Sequence, residues 1–218
     1  MMRKTHWATL LSAAVSVGSA LVVVPSSAFA TPKVALAKTV ADGHVLKDNR
    51  VPAGAQERYG HAEVLVHAPL ADVRKTVTNY ANYKTIAPHR LKQSRVVKRH
   101  KDGKTDVYFK VEAVRGLFSF YTLTRFDPPK RQADGSEVIE GRQVEGDVKE
   151  VHIVWHLLPV SERETLLICD ANLRPDFPTP DDMLDEELRD SAGHAAWAMR
   201  VRTEEKQRPK AAEAKRSP

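Results

Sequence analysis

The residues most able to build a binding site in this sequence are aromatic, and they are concentrated in one segment. Six of them lie within the 19 residues of 108–126. Because successive side chains of a strand point to opposite faces, Phe109 would share a face with Val107. On the next strand, Phe118 would share a face with Phe120. Such faces could line an apolar hollow for a hydrophobic molecule, or they could pack as an ordinary core. The other residues predicted to line the hollow are Ile153, Trp155, Trp197 and Met199.

A carboxylate directed into the same hollow would add acid–base chemistry. Asp170 follows an apolar run and would share a strand face with Asn172 and Ile168. Arg142 would share a face with Glu140 and could pair with either carboxylate. A buried pair of this kind can shift a pKa and move a proton. The pair could equally orient the polar head of a ligand or form a salt bridge at the edge of the hollow. Arg142 is therefore a candidate ligand contact, and Asp170 is the one candidate catalytic residue.

The histidines and the single cysteine do not form a recognisable reactive site. No HExxH motif is present, and His152 and His156 would lie roughly 13 Å apart on a strand. We therefore expect no metal and no cofactor. Cys169 lies in the apolar run LLIC, which predicts a buried, inert thiol. The sequence also lacks a Ser-His-Asp order, a phosphate-binding loop and a dinucleotide fingerprint.

The first 30 residues have the pattern of a secretory signal peptide. Arg3 and Lys4 are followed by an apolar run over 8–24 and by the small-residue motif Ala28-Phe29-Ala30. We predict cleavage after Ala30 and export to the periplasm or the medium. The alternative is an uncleaved membrane anchor, although the run is at the lower limit of the length that spans a bilayer.

The positive charge of the chain is not spread over its body. The formal net charge is +6, of which the signal peptide and the tail over 200–218 account for all. Residues 31–199 are therefore neutral, which argues against a nucleic-acid-binding surface. We predict a polar lead-in over 31–55, one compact domain over 56–206, and a disordered basic tail over 207–218.

The pattern within the domain predicts one strand, two short helices, about six more strands and a long helix. The first strand, about 60–67, ends before Pro69, which suits the first turn of a helix. A second short helix is predicted over Tyr80–Thr85, and the last helix begins at Asp181 after three prolines. The later strands are predicted at Arg95–His100, Thr105–Ala113, Phe118–Phe126, Glu137–Val144, Val151–Leu158 and Thr165–Leu173.

These elements predict an α+β helix-grip fold. Strands that follow one another without crossover helices should form an antiparallel sheet, here of about seven strands. The apolar face of such a sheet must be covered, and only the C-terminal helix is long enough to cover it. The sheet would therefore curve around that helix. The buried stripe of the helix is predicted at Leu184, Leu188, Ala192, Ala195, Ala196 and Met199.

One segment resembles a known family. The run VLVHAPLADVRKTVTNYANYKTIAPH is similar to the START-like or SRPBCC superfamily, which includes lipid-transfer domains, polyketide cyclases and coenzyme-Q-binding proteins. Asn79 stands where that family usually has Asp, and Arg74 where Trp is common. The later segment RVVKRHKDGKTDVYF, the strand that begins at Val151 and the proline-rich entry to the last helix also fit, so the resemblance covers about 150 residues. It implies a cavity for a lipid, sterol, polyketide or isoprenoid. The residues that match the family pattern are Thr78, Asn79, Tyr80, Tyr83 and Pro88.

Together these observations predict an exported, monomeric, non-enzymatic protein that holds a hydrophobic small molecule between its sheet and its last helix. Tyr80 and Tyr83 would gate the mouth of the cavity. One alternative is a cyclase or aromatase-like enzyme that uses the same cavity, and another is an envelope interaction protein with a vestigial cavity. The basic hairpin over 92–104 could contact an anionic membrane surface, or its charges could simply protect an edge strand.

Overall fold

The computed structural model describes residues 44–52, 55–88, 90–113 and 118–214, with side chains as far as Gln207. The expected signal peptide, the part of the lead-in before residue 44 and the tail after residue 214 lie outside this description. No described helix is long and apolar enough to cross a membrane.

The described chain contains three α-helices and nine strands in the order expected from the sequence. The helices are α1 (Leu70–Val77), α2 (Tyr83–Ile86) and α3 (Asp181–Ala214), and a 3-10 turn (Tyr80–Asn82) precedes α2. Helix α3 therefore extends beyond residue 206, where we expected the domain to end. The strands are β1 (Leu46–Arg50), β2 (Tyr59–Val66), β3 (Leu91–Arg99), β4 (Thr105–Ala113), β5 (Phe118–Phe126), β6 (Lys130–Arg131), β7 (Glu137–Gly146), β8 (Glu150–Ser161) and β9 (Glu164–Arg174).

All strands belong to one antiparallel sheet, so the predicted helix-grip fold is confirmed. Its order is β1-β2-β9-β8-β7-β5-β4-β3, and the short β6 pairs with β7. The sheet has nine strands rather than about seven, because β1 forms in the lead-in and β6 adds a two-residue ladder. The edges are thus β1 at one side and β3 at the other.

Local sequence explains where the elements begin and turn. Pro69 is followed directly by α1, and its carbonyl accepts the amide hydrogens of Asp72 at 2.9 Å and Val73 at 3.2 Å. Gly103 has φ of 86° in the β3–β4 turn, a conformation that glycine adopts without steric cost. Asp181 and Asp182 lie in the first turn of α3, where carboxylates interact favourably with the helix dipole.

Helix α3 packs on one half of the inner face of the sheet. Its neighbours are β2, β9 and β1. The approach is closest at Gly60, where a Cβ atom would lie 2.0 Å from the carbonyl oxygen of Leu188. Lys47 of β1 adds an ion pair of 2.9 Å to Asp190 on the helix. The helix is therefore fixed to the β1–β2–β9 half, and it is not held in the same way against β3, β4 and β5.

The sheet is buried on both faces around β2, β8 and β9. The inner cluster includes Val64, Leu167 and Leu157, which pack with Ala192 and Ala196 of α3. A second apolar cluster lies on the outer face and consists of Leu65, Leu158, Leu166 and Ile168. Every residue of β2 is buried as a result.

Candidate functional site

An apolar hollow of about 180 Å³ lies between the inner face of the sheet and α3. It begins at β9, which the helix contacts, and extends across β8, β5 and β4 to β3, against which the helix is not held in the same way. Its sheet wall comes from the first residues of β3, β5 and β8 and the last residues of β4 and β9, which meet at one end of an antiparallel sheet. Its apolar wall includes Leu91, Phe109, Val111, Phe120, Val151, Ile153, Trp155, Ala171, Leu173, Leu188, Ala195 and Met199.

Polar side chains meet at one end of this hollow. The guanidinium of Arg90 donates to the carboxylate of Glu187, and this ion pair joins the start of β3 to α3. Ser191, one turn along the helix, donates to the same carboxylate over 3.1 Å. His194 also lines the hollow, and its Nδ1 lies 2.7 Å from the carbonyl oxygen of Asp190. The hollow is thus an apolar chamber with one charged, hydrogen-bonding end.

Two residues that line the hollow have a buried polar side-chain atom without a hydrogen-bond partner among the described residues, namely the indole nitrogen of Trp155 and the Oδ1 of Asn172. Trp155 is only 2% exposed, so bulk solvent does not reach its side chain. A buried donor without an acceptor costs free energy, and a ligand oxygen at this position would remove that cost.

The opposite end of the hollow is closed by four packed aromatic rings. Tyr80 stacks on Phe126 with ring centroids 4.4 Å apart, and Tyr83 stacks on Phe109 at 5.7 Å. The two tyrosine rings are 5.7 Å apart, and the two phenylalanine rings 6.2 Å. The Tyr83 hydroxyl donates to the carbonyl of Val77 over 2.5 Å, and complete burial raises the pKa of that hydroxyl well above its usual value. Both tyrosines therefore belong to a fixed wall at the closed end, not to the mouth where we expected a gate.

Six of the predicted lining residues line the hollow, and the others lie elsewhere. Val107 is fully buried behind the aromatic wall, where β4 packs against it. Tyr80 contributes to the far side of that wall. Phe118 stands at the end of β5 and packs edge-on against Phe177, with centroids 4.6 Å apart. The residues that line the hollow as predicted are Tyr83, Phe109, Phe120, Ile153, Trp155 and Met199.

Trp197 lies outside the hollow because of helical geometry. It is two residues from Met199, which corresponds to about 200° around an α-helix, so both cannot face the sheet. Met199 is buried at 2% exposure, whereas Trp197 is 46% exposed. The guanidinium of Arg200 lies over its ring, 5.4 Å from the centroid.

Asp170 and Arg142 both point to the outer face of the sheet, away from the hollow. Asp170 is fully buried there, with His61 Nδ1 at 2.8 Å and a guanidinium nitrogen of Arg50 at 2.5 Å. Burial alone would raise the pKa of Asp170, but the bond from His61 and the charge of Arg50 lower it. Arg142 is instead paired with Glu140 at 2.6 Å. Proton transfer by Asp170 inside the hollow is therefore inconsistent with this geometry.

The outer face carries a second hydrogen-bonded chain. The Tyr59 hydroxyl lies 2.5 Å from His152 Nδ1, and His152 Nε2 lies 2.9 Å from Glu140. The bond from His152 and the charge of Arg142 lower the pKa of Glu140 to about 2. No group of three His, Cys, Asp or Glu side chains suited to a metal ion occurs among the described residues.

Several residues of the hollow were missed in the sequence. Glu187 and Ser191 were missed, although they continue the four-residue spacing of Ala195 and Met199, which belong to the predicted apolar stripe. That spacing was an available signal. No local sequence signal marked Arg90, because its contact with Glu187 joins residues 97 positions apart.

Cys169 is buried beside the hollow. Burial raises the pKa of its thiol well above the usual value, which agrees with an inert thiol.

A curved antiparallel sheet that grips one long helix and leaves an apolar chamber defines the class of helix-grip proteins. The family described as polyketide cyclase / dehydrase and lipid transport matches residues 66–200, and the chain belongs to that family. No protein of curated function shows significant sequence similarity to it.

Solved structures share the fold at low sequence identity. A START superfamily protein from Mycobacterium smegmatis is 21% identical, with a TM-score of 0.56 over 66% of this chain and 96% of its own. A STAR-related lipid transfer protein from Xanthomonas axonopodis is 15% identical, with a TM-score of 0.61 over 74% and 98%. Human StAR-related lipid transfer protein 5 is 11% identical, with a TM-score of 0.61 over 78% and 96%. At these identities the likeness shows the fold alone.

Proposed function

We propose that this protein binds a hydrophobic small molecule, of lipid, isoprenoid or polyketide type, in the hollow between its sheet and α3. The observation that carries the proposal is the hollow itself, about 180 Å³ of apolar space inside an otherwise packed domain. Protein interiors normally leave few voids larger than a water molecule, so an apolar space of this size needs a reason. The names of the Xanthomonas and human relatives, which are lipid transfer proteins, agree with this interpretation.

The volume sets the size of the ligand portion that fits without movement. An apolar cavity of about 150 Å³ in another protein holds benzene. The hollow as it stands would take one ring or a short branched chain, and a complete drug-sized ligand needs at least about 300 Å³. A longer ligand would therefore extend out of the chamber or widen it.

Two polar features would orient the ligand. A carbonyl or hydroxyl oxygen next to Trp155 would accept the hydrogen bond that the indole lacks. A polar head at the other end would meet Arg90, Glu187 and Ser191. A molecule with an apolar body and one or two oxygens would satisfy both features, and a pure hydrocarbon would satisfy neither.

The experiment is mass spectrometry of organic extracts from protein purified out of its native host. We expect one stoichiometric apolar compound from the wild type and none from Ala195→Phe, whose ring would occupy the hollow. A matched control is Trp197→Phe, which changes an exposed residue outside the hollow and should retain the compound. Identical extracts from the wild type and Ala195→Phe would contradict the proposal.

A cyclase-like activity is the second candidate, and His194 is the observation that favours it. A neutral imidazole whose Nδ1 donates to the Asp190 carbonyl keeps Nε2 free to accept a proton. Since His194 lines the hollow, that nitrogen could act on a bound polyketide-like substrate. Once the ligand is known, turnover that His194→Gln leaves unchanged would remove this base from consideration.

Export and membrane contact complete the proposal. The signal pattern of residues 1–30 supports secretion, and N-terminal sequencing of protein from the host envelope should begin at Thr31. A hairpin over 92–104 that carries an excess of basic residues supports contact with anionic lipids. Detection of an intact N-terminus on the exported protein would favour the anchor alternative.

A further inference from the structure

A second concave site lies at the opposite end of the sheet from the charged end of the hollow. This basic groove has a volume of about 490 Å³ and lies between α1, the β3–β4 turn and the loop after β5. Arg99 and Thr105 belong to it, whereas the hollow uses Leu91 and Ala113 at the other ends of the same strands. At about 3.3 Å per residue, the far ends of the two sites are roughly 25 Å apart. The sites come closest at Tyr80 of the groove and Tyr83 of the hollow, whose ring centroids are 5.7 Å apart. The groove is lined by Ala71, Arg74, Lys75, Thr78, Tyr80, Arg99, Gly103, Thr105, Asp127, Pro128 and Pro129.

The cationic groups of the groove are only partly neutralised. Arg74 donates through one guanidinium nitrogen to Glu137 at 2.6 Å, which leaves most of its donors available. Lys75 and Arg99 form no ion pair with any described residue. The one carboxylate in the groove, Asp127, is neutralised from outside it by Lys130 at 2.6 Å and Lys104 at 3.5 Å. The groove therefore has a net positive charge.

Uncharged groups add shape and further hydrogen-bonding capacity. Tyr80 forms part of the groove and is held in place by its stack on Phe126. Burial raises the pKa of its hydroxyl, and the charge of Arg99 acts in the opposite direction, so the two side chains are electrostatically coupled. At neutral pH this hydroxyl remains a proton donor. Donors of three kinds, namely guanidinium, ammonium and hydroxyl, thus face one space.

We propose that the basic groove binds a phosphate group. A phosphate presents several acceptor oxygens and up to two negative charges, which match a fork of arginine donors, a lysine ammonium and a hydroxyl. Charges that only protect an edge strand point outward along the strand and need not converge. The phosphate could belong to a soluble metabolite or to a lipid headgroup. This site is separate from the hollow, because the aromatic wall lies between them.

The first test is a titration with inorganic pyrophosphate at fixed ionic strength, followed by NMR or calorimetry. We expect saturable binding to the wild type, and a loss of about tenfold or more in affinity for Arg99→Gln and for Lys75→Gln. Lys110→Gln is the matched control, since it removes the same charge from an exposed position of β4 that lies outside both the groove and the 92–104 hairpin. Its affinity should change less than about threefold. Equal losses in all three variants, or no saturable binding to the wild type, would overturn the proposal.

The second test identifies the source of the phosphate. Sedimentation with phosphatidylcholine vesicles that contain about one fifth phosphatidic acid is compared with pure phosphatidylcholine. Binding that requires Arg99 and is displaced by pyrophosphate would assign a lipid headgroup. Pyrophosphate binding without vesicle binding would assign a soluble phosphorylated molecule. Vesicle binding that Lys110→Gln, a change outside both the groove and the 92–104 hairpin, weakens as much as Arg99→Gln would contradict a defined site. Equal melting temperatures without the anion confirm that the variants fold.

Discussion

Two adjacent alanines of α3 provide a sharp test of the hollow. Ala195 lines the hollow, whereas Ala196 is fully buried in the packed cluster beside it. A phenyl ring introduced at each position should therefore have opposite effects on stability. The two variants have the same composition and the same helix propensity, so the comparison isolates the local packing.

The magnitude follows from the cavity volume. At about 24 cal/mol per Å³, an enclosed and empty space of about 180 Å³ would cost roughly 4 kcal/mol, which is an upper limit for a hollow that is open to solvent at one end. A phenyl ring would fill roughly half of it, and lost rotamer freedom would offset part of the gain. We expect Ala195→Phe to raise the free energy of unfolding by about 1 kcal/mol, or the melting temperature by about 2–4 °C. Ala196→Phe should instead lower it by about 1–3 kcal/mol, because it overpacks the core.

The assay is urea denaturation followed by circular dichroism, together with a ligand titration. In a Trp197→Phe background, Trp155 becomes the only tryptophan after residue 30, and its fluorescence reports on the hollow. Ala195→Phe should abolish the change in this signal when a short-chain lipid is added. Equal destabilisation by Ala195→Phe and Ala196→Phe would show that the helix closes fully on the sheet and would refute the reasoning.

Three further outcomes follow from specific contacts. Burial lowers the pKa of His156 from 6.5 to about 4, so the unfolded chain binds more protons between these pH values. The free energy of unfolding should therefore fall by up to about 3 kcal/mol as the pH drops from 6.5 to 4. NMR should show that the imidazole of His156 titrates near pH 4. A pKa near 6.5 would contradict this prediction. Gly60→Ala should lower the free energy of unfolding, measured by urea denaturation, by about 3 kcal/mol or more, because the new Cβ would lie 2.0 Å from the carbonyl oxygen of Leu188. An unchanged free energy of unfolding would refute the close approach of helix and strand. Glu187→Gln frees Arg90 from its ion pair, so the affinity for a fatty acid should rise about tenfold relative to that for the matching alcohol. An unchanged ratio of the two affinities would show that the polar head of the ligand does not bind at this end of the hollow.

The fold could be predicted from the sequence because the residues that begin and end its helices and strands act locally. Pro69 marks the start of α1, and the acidic residues from Asp181 mark the start of α3. Alternation along the strands and the absence of crossover helices then require an antiparallel sheet. The two short helices and the match to the family pattern place the domain in its superfamily without any knowledge of contacts.

The sequence was not sufficient for the direction of individual side chains. Strand β9 is buried on both faces, so its residues read as a continuous apolar run and the inner face cannot be distinguished by pattern. Asp170 was assigned to the hollow for that reason, although Cys169 and Ala171 are the residues that face it. The charged end depends on Arg90 and Glu187, which meet only through tertiary packing. The volume left between sheet and helix is likewise a result of packing, which no local pattern records.

The asymmetric attachment of α3 determines how this domain can accommodate a larger guest. The helix is fastened to β1, β2 and β9 at one side, by the contact at Gly60 and the ion pair of Lys47, and the hollow lies at the other side. Expansion should therefore resemble the opening of a hinged cover, in which β3 and β4 swing outward while the helix stays in place. Because β3 is an edge strand, this movement breaks no ladder beyond it. Larger ligands should accordingly increase the rate of amide hydrogen exchange in the β3–β4 hairpin, with little change in the exchange rates of β2 and β9.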